Sequence, residues 1–271
     1  MTSLEQTFAR TRAEGRAALI GYLPAGFPSH SGCVDALVAM VEGGVDVVEV
    51  GLPYSDPLMD GPTIQQAVEA ALAAGITTRD VLKTVEAVAA TGAATLVMSY
   101  WNPIERYGVG VFADAMAAAG GSGVITPDLT PDEAGPWLDA VAAAGIDPVF
   151  LVAPSSTEAR IRRVAAVSRG FVYVASTMGV TGVRAAVSDR AETLVSRVRP
   201  LTDLPLAVGL GVSTGAQAAE VAAYADGVIV GSAFVRRLID APDQGAGVAA
   251  VRELAVELAA GVRAARPPRP S

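Results

Sequence analysis

The chain has 271 residues, 51% of them apolar and 5% aromatic, with a formal net charge of −8. That length allows one or two domains, and the apolar content is ample for a large core. The acidic balance excludes an ordinary nucleic-acid surface, which is basic.

Short apolar runs rich in β-branched residues recur along the chain, each followed by a turn signal and a longer alanine-rich helical pattern. Helix is expected at 4–13, strand at 17–23, helix at 34–42 and strand at 45–51. Two helical patterns follow, 64–73 and 80–90, then strand at 94–100, helix at 111–119 and strand at 123–127. The pattern continues with helix 132–144, strand 148–153, helix 158–167, strand 171–176, helix 192–198, strand 206–209, helix 217–224 and strand 227–231. Glycines at Gly43, Gly44, Gly75, Gly120 and Gly145 end helices where a left-handed cap is wanted. Eight strands alternating with helices, and no linker, predict an α/β fold: one (β/α)8 TIM barrel over 1–265, with a flexible tail at 266–271. The first helix is extra and suits the barrel floor, and 80–90 is an extra helix after the second strand.

Absences narrow the chemistry. No apolar run reaches the roughly 18 residues a membrane span needs. The best, 248–265, is broken by Arg252, Glu253, Glu257 and Arg263, and the N-terminal residues do not resemble a signal peptide. The single cysteine, Cys33, excludes an internal disulfide, so a cytoplasmic location is expected. The single histidine, His30, lies in a turn signal, and the single lysine, Lys83, lies on an amphipathic helix rather than at a strand end. A multi-histidine zinc site is excluded, and neither a triad nor Schiff-base chemistry is favoured. Carboxylates, hydroxyls and backbone amides must do most of any catalysis.

Barrel enzymes place reacting groups at the C-terminal strand ends. Alternation along the second strand puts Val45, Val47 and Glu49 on one face, with Glu49 inside near the barrel mouth. Such a carboxylate is either paired or functional, because burying it alone is costly. The next loop, 52–62, carries Asp56 and Asp60 over the same mouth; either is a candidate, and either suits a turn or a helix cap. Glycine turns after the last two strands, Gly209-Leu210-Gly211 and Gly231-Ser232, suit a phosphate, as does Gly179-Val180-Thr181-Gly182, although turns require glycine in any case.

The segment Val48-Glu49-Val50-Gly51-Leu52-Pro53-Tyr54-Ser55-Asp56-Pro57-Leu58-Met59-Asp60-Gly61-Pro62-Thr63-Ile64-Gln65 resembles the signature of the tryptophan synthase α subunit family. The resemblance continues through Tyr100-Trp101-Asn102-Pro103, Pro127-Asp128-Leu129, Gly179-Val180-Thr181-Gly182 and Asp226-Gly227-Val228-Ile229-Val230-Gly231-Ser232. Ala25-Gly26-Phe27-Pro28 departs from it, where many members have aspartate in the third place, and the tail after Ala265 is unmatched.

The resemblance implies a carbon–carbon lyase of tryptophan biosynthesis that cleaves indole-3-glycerol phosphate to indole and glyceraldehyde 3-phosphate without metal or cofactor. It implies Glu49 as the acid/base and Asp60 as the partner of the indole N–H. It further implies substrate contacts by Tyr22, Tyr100, Ile125, Tyr173, Thr181 and Leu210, and phosphate binding by Gly182, Gly211, Gly231 and Ser232. A pyridoxal-phosphate β subunit is the implied partner in an αββα heterotetramer, meeting Pro53, Tyr54, Asp56 and 102–107. A free-standing lyase, another phosphate-binding barrel enzyme and a non-catalytic activator of a β chain are the alternatives. The absence of a strand-end lysine counts against an indole-glycerol-phosphate synthase, and the two carboxylates count against a non-catalytic activator.

Overall fold

The computed structural model describes residues 2–175 and 184–265, with backbone alone at 184–188. Helix α1 (Ser3–Ala13) opens the chain, closed at its start by a capping box of Thr2 and Glu5. Then come β1 (Ala18–Pro24), α2 (His30–Glu42), β2 (Val47–Gly51), α3 (Pro62–Ala73), α4 (Thr78–Ala89) and β3 (Ala94–Met98). The middle holds α5 (Trp101–Tyr107), α6 (Val109–Ala118), β4 (Gly123–Ile125), α7 (Gly135–Ala144), β5 (Asp147–Val149) and β6 (Leu151–Val152). The last third holds α8 (Glu158–Val167), β7 (Val172–Ala175), α9 (Arg184–Val198), β8 (Leu206–Gly209), α10 (Gly215–Ala222), β9 (Gly227–Val230), α11 (Ser232–Ile239) and α12 (Gln244–Ala264). Among the described residues no helix is long and apolar enough to cross a membrane.

All strand pairings are parallel, in the order β5-β4-β3-β2-β1-β9-β8-β7-β6. Because β5 and β6 are halves of one chain segment joined at Phe150, the sheet curls back on itself. Asp147–Val149 pairs with β4 and Leu151–Val152 with β7. This is the eight-strand barrel, its fifth strand broken where one continuous strand at 148–153 was expected.

The period-two alternation of the strands sorts their side chains into two cores. Ile20, Val47, Leu96, Ile125, Val149, Ala207 and Ile229 fill the barrel interior. Their neighbours Leu19, Val48, Val97, Val124, Val208 and Val228 join the second core, against the helices. Leu4 and Phe8 of α1 enter the interior cluster from below, with Phe8 against Phe171 at 5.6 Å, so the first helix does cover the floor. Also at that end, buried Asp46 accepts from Arg16 at 2.6 and 2.9 Å, from Arg10 at 3.0 Å and from the Leu19 N–H at 3.0 Å.

Three further expectations need correction. Val45 packs in the outer core rather than inside, because β2 begins only at Val47 and the alternation has no meaning before it. Helix 132–144 starts at Gly135, since Thr130 and Glu133 bond to each other in a preceding turn. The helix expected at 192–198 extends back to Arg184. Helices α5, α11 and the long C-terminal α12 were not anticipated. Phe27, in the segment that departs from the family pattern, is buried in the outer core beside Gly26, whose φ of 82° suits glycine.

Candidate active site

Glu49 sits two residues before the end of β2, paired in register with Tyr22 of β1 and Leu96 of β3. Its side chain is 0% exposed, and among the described residues neither carboxylate oxygen has a hydrogen-bond partner. Burial without compensation disfavours the charged form, so its pKa is pushed up to about 8. An unpaired buried acid is expensive in a fold, and it is the form of strain that functional sites retain.

A cavity of about 350 Å³ opens above it at the barrel mouth, lined by Glu49, Asp60, Tyr22, Tyr173, Leu210, Gly211, Gly231 and Ser232 among others. Asp60 is half-buried, and burial raises its pKa, while a hydrogen bond from Tyr100 opposes the rise. Tyr22 and Tyr173 are half-buried, and desolvation holds both hydroxyls well above the usual tyrosine range. Asp60 adds to the rise at Tyr22, and Glu49, once ionised, adds to both. The cavity therefore joins a neutral carboxylic acid and a second carboxyl across an apolar slot.

The loop bearing Asp60 is fixed by Tyr100. Its hydroxyl accepts from the N–H groups of Leu58 (3.1 Å) and Met59 (2.9 Å) and donates to Asp60 Oδ1 (3.3 Å). Gln65 adds a bond to the Asp60 carbonyl at 2.8 Å, and Pro62 starts α3 immediately after. Tyr100 and Ile125, both expected against the substrate, do not line the cavity here: Tyr100 stands behind Asp60, and Ile125 lies in the barrel core. Asp56 is exposed and accepts from Ser55 at 2.6 Å, outside the cavity lining. Thr181 and Gly182 lie outside the described residues, as does the tail at 266–271.

Gly211 has a φ of 67°, with open space where a side chain would stand, and Gly231 is the N-cap of α11 with Ser232 first in the helix. Such a terminus points unbonded N–H groups at a ligand. The lining also includes Met59, Met98, Ile64 and Ile229, which were not singled out. Met98 and Ile229 follow Leu96 and Gly227 at the two-residue strand period, so that alternation would have found them.

The profile of the family described as tryptophan synthase alpha chain matches residues 8–263. The chain belongs to the tryptophan synthase alpha chain family. A tryptophan synthase alpha chain of Thermobifida fusca is 62% identical over 268 residues, 98% of this chain and 99% of that one. A solved tryptophan synthase of Mycobacterium tuberculosis is 55% identical with a TM-score of 0.90, covering 96% of this chain and 98% of its own. The alpha subunit from Legionella pneumophila, at 31% identity, still gives 0.88 over 97% of this chain and 98% of its own. Membership in the tryptophan synthase alpha chain family makes this chain a lyase of tryptophan biosynthesis, and a free-standing lyase is not favoured.

Outside the cavity, the two surface segments singled out for a partner meet each other. Asn102 of α5 donates to the Tyr54 hydroxyl at 2.9 Å, and the Tyr54 ring lies 5.5 Å from that of Tyr100. Asp128, from another family motif, accepts from the Trp101 N–H at 2.9 Å and so holds the start of α5. Leu58, on the Asp60 loop, is 76% exposed. His30 is exposed at the start of α2, and Lys83 is exposed and paired with Asp80 at 3.1 Å.

Proposed function

We propose that the cavity binds indole-3-glycerol phosphate and that Glu49 and Asp60 cleave it to indole and glyceraldehyde 3-phosphate. The observation that carries this reading is Glu49: a fully buried acid without a hydrogen-bond partner among the described residues, facing the same cavity as a second carboxyl. Burial pushes its pKa up to about 8, which favours the protonated acid near neutral pH.

Glu49 gives that proton to C3 of the indole, which turns the ring into an electron sink. The hydroxyl on the adjacent glycerol carbon then loses its proton as it becomes the aldehyde, and the carbon–carbon bond breaks with its electron pair returning to the ring. Glu49 takes the hydroxyl proton, so the acid is regenerated and the step balances within this chain. Asp60 accepts the indole N–H and stabilises the positive charge of the intermediate more than the ground state, as catalysis requires. Tyr22, Leu210 and Tyr173 flank the ring, while the backbone at Gly211, Gly231 and Ser232 receives the phosphate. Gly182 would join that set, with Thr181 meeting Asp60 and Tyr100 and Ile125 contributing to the slot when substrate is bound.

The same reading assigns no cofactor to this chain. Its partner is a β subunit carrying pyridoxal phosphate, in an αββα assembly that receives the indole. Support for the docking face comes from exposed Leu58 and from the Asn102–Tyr54 bond, which makes one surface of the loop with Pro53 and Asp56 and the segment 102–107. Indole release from indole-3-glycerol phosphate, measured with and without a β subunit, tests the reading. Turnover that rises on adding β supports it, and a purified chain that releases no indole in either condition would overturn it.

A further inference from the structure

The cavity brings two carboxyl groups together, and no lysine or arginine is among its described lining residues. A phosphate dianion entering it adds negative charge to a chain already at −8. Backbone N–H groups at a helix start offset only part of this, because they carry partial charges.

A full cation stands immediately behind the lining. Arg236 follows Ser232 by four residues on α11, hence on the same helix face one turn away. Its Nη2 donates to Thr63 Oγ1 at 2.7 Å, and Thr63 lines the cavity three residues after Asp60. The bond goes to a neutral hydroxyl, and among the described residues Arg236 makes no ion pair, Asp240 sharing only the recess beside it. Arg236 also lines an open recess with Ser213, Ala233, Arg237 and Asp240. Ser213 and Ala233 lie within two residues of Gly211 and Ser232, so the recess flanks both phosphate turns.

We infer that Arg236 is an electrostatic positioning residue for the phosphate end of the substrate, acting through Thr63 and the start of α11. The inference rests on the proposed reaction. Arg236 does two things at once: it places a positive charge behind the anion site, and it ties the start of α3, which follows Asp60, to the helix that begins at Ser232. Because the bond is exposed, the charge acts through solvent and is screened by salt. Its contribution therefore belongs to capture of the phosphate, not to the chemical step.

The test measures kcat and KM for indole-3-glycerol phosphate in wild type, Arg236→Gln and Arg236→Lys, at about 20 mM and about 300 mM salt. Inhibition by inorganic phosphate and by indole is measured alongside. Arg236→Gln is expected to lower kcat/KM about tenfold at low salt, mainly through KM, and to flatten the salt dependence. Phosphate inhibition weakens in parallel, indole inhibition does not change, and Arg236→Lys restores most of the loss. Equal weakening of phosphate and indole would reduce Arg236 to a structural tie and overturn the inference, as would an unaltered salt dependence. Wild type inert toward indole-3-glycerol phosphate would overturn the proposed reaction, and this inference with it. An active wild type with an unchanged Arg236→Gln overturns the inference alone.

Discussion

Replacing Glu49 with glutamine is expected to stabilise the fold, by an amount that depends on pH. The native state keeps the Glu49 proton up to about pH 8, whereas an unperturbed carboxyl releases it near 4.5. Between those values the unfolded chain binds fewer protons than the native one, so stability falls as pH rises. The folded-state pKa is the raised one; stability from this group is fully present below about 4.5 and is lost by about 8. At roughly 1.4 kcal/mol per pH unit, the loss reaches about 3 kcal/mol at pH 7 as an upper bound. Glutamine has nearly the same volume and never ionises, so it escapes the penalty. Urea unfolding of both proteins at about pH 5, 6, 7 and 8 reads this directly. The variant should be close to wild type near pH 5 and increasingly more stable toward pH 8. A stability difference that does not vary with pH would refute the desolvated, protonated Glu49.

Three further outcomes follow from the same geometry. The kcat/KM of the wild type should fall as pH rises past about 8, because free-enzyme Glu49 then loses the proton it must donate; a pH–rate profile flat through pH 9 would contradict this. Tyr100→Phe keeps the ring but leaves two N–H groups and Asp60 without their partner, so about 1–2 kcal/mol of stability and roughly tenfold of kcat/KM should be lost. Since the Tyr100 bond opposes the rise of the Asp60 pKa, its loss should move the acid limb of the pH profile upward. Asp46→Ala removes both guanidinium bonds of Arg16 to that carboxylate at the far end of the barrel and leaves it paired with Glu14 alone; a loss of about 2–3 kcal/mol in thermal or urea unfolding is expected, with KM unchanged.

Most of the barrel was legible because buried parallel strands and their covering helices impose different periods on the chain. Alternation along β2 placed Glu49 inside, and the cost of burying a lone carboxylate made it a candidate before any family resemblance was drawn. The same alternation misplaced Val45, since a periodicity does not announce where a strand begins. Asp60 was one of two aspartates in a loop; spacing favoured it over Asp56 but only the resemblance gave it a role, and the structure puts Asp56 outside the cavity lining. The role of Tyr100 was illegible for a different reason. Its hydroxyl reaches backbone N–H groups about 40 residues away in the chain, and such a bond has no local sequence signal. Arg236 and Thr63, 173 residues apart, are hidden in the same way. The break at Phe150 likewise arises from barrel closure, not from the apolar run itself.

The claim that Glu49 moves the proton is tested most directly by the turnover of Glu49→Gln at saturating indole-3-glycerol phosphate, with folding checked by the urea measurements above. Indole release should fall by at least about a hundredfold, because glutamine fills the same space but has no proton to give. Near-normal turnover by a folded Glu49→Gln variant would contradict the mechanism outright.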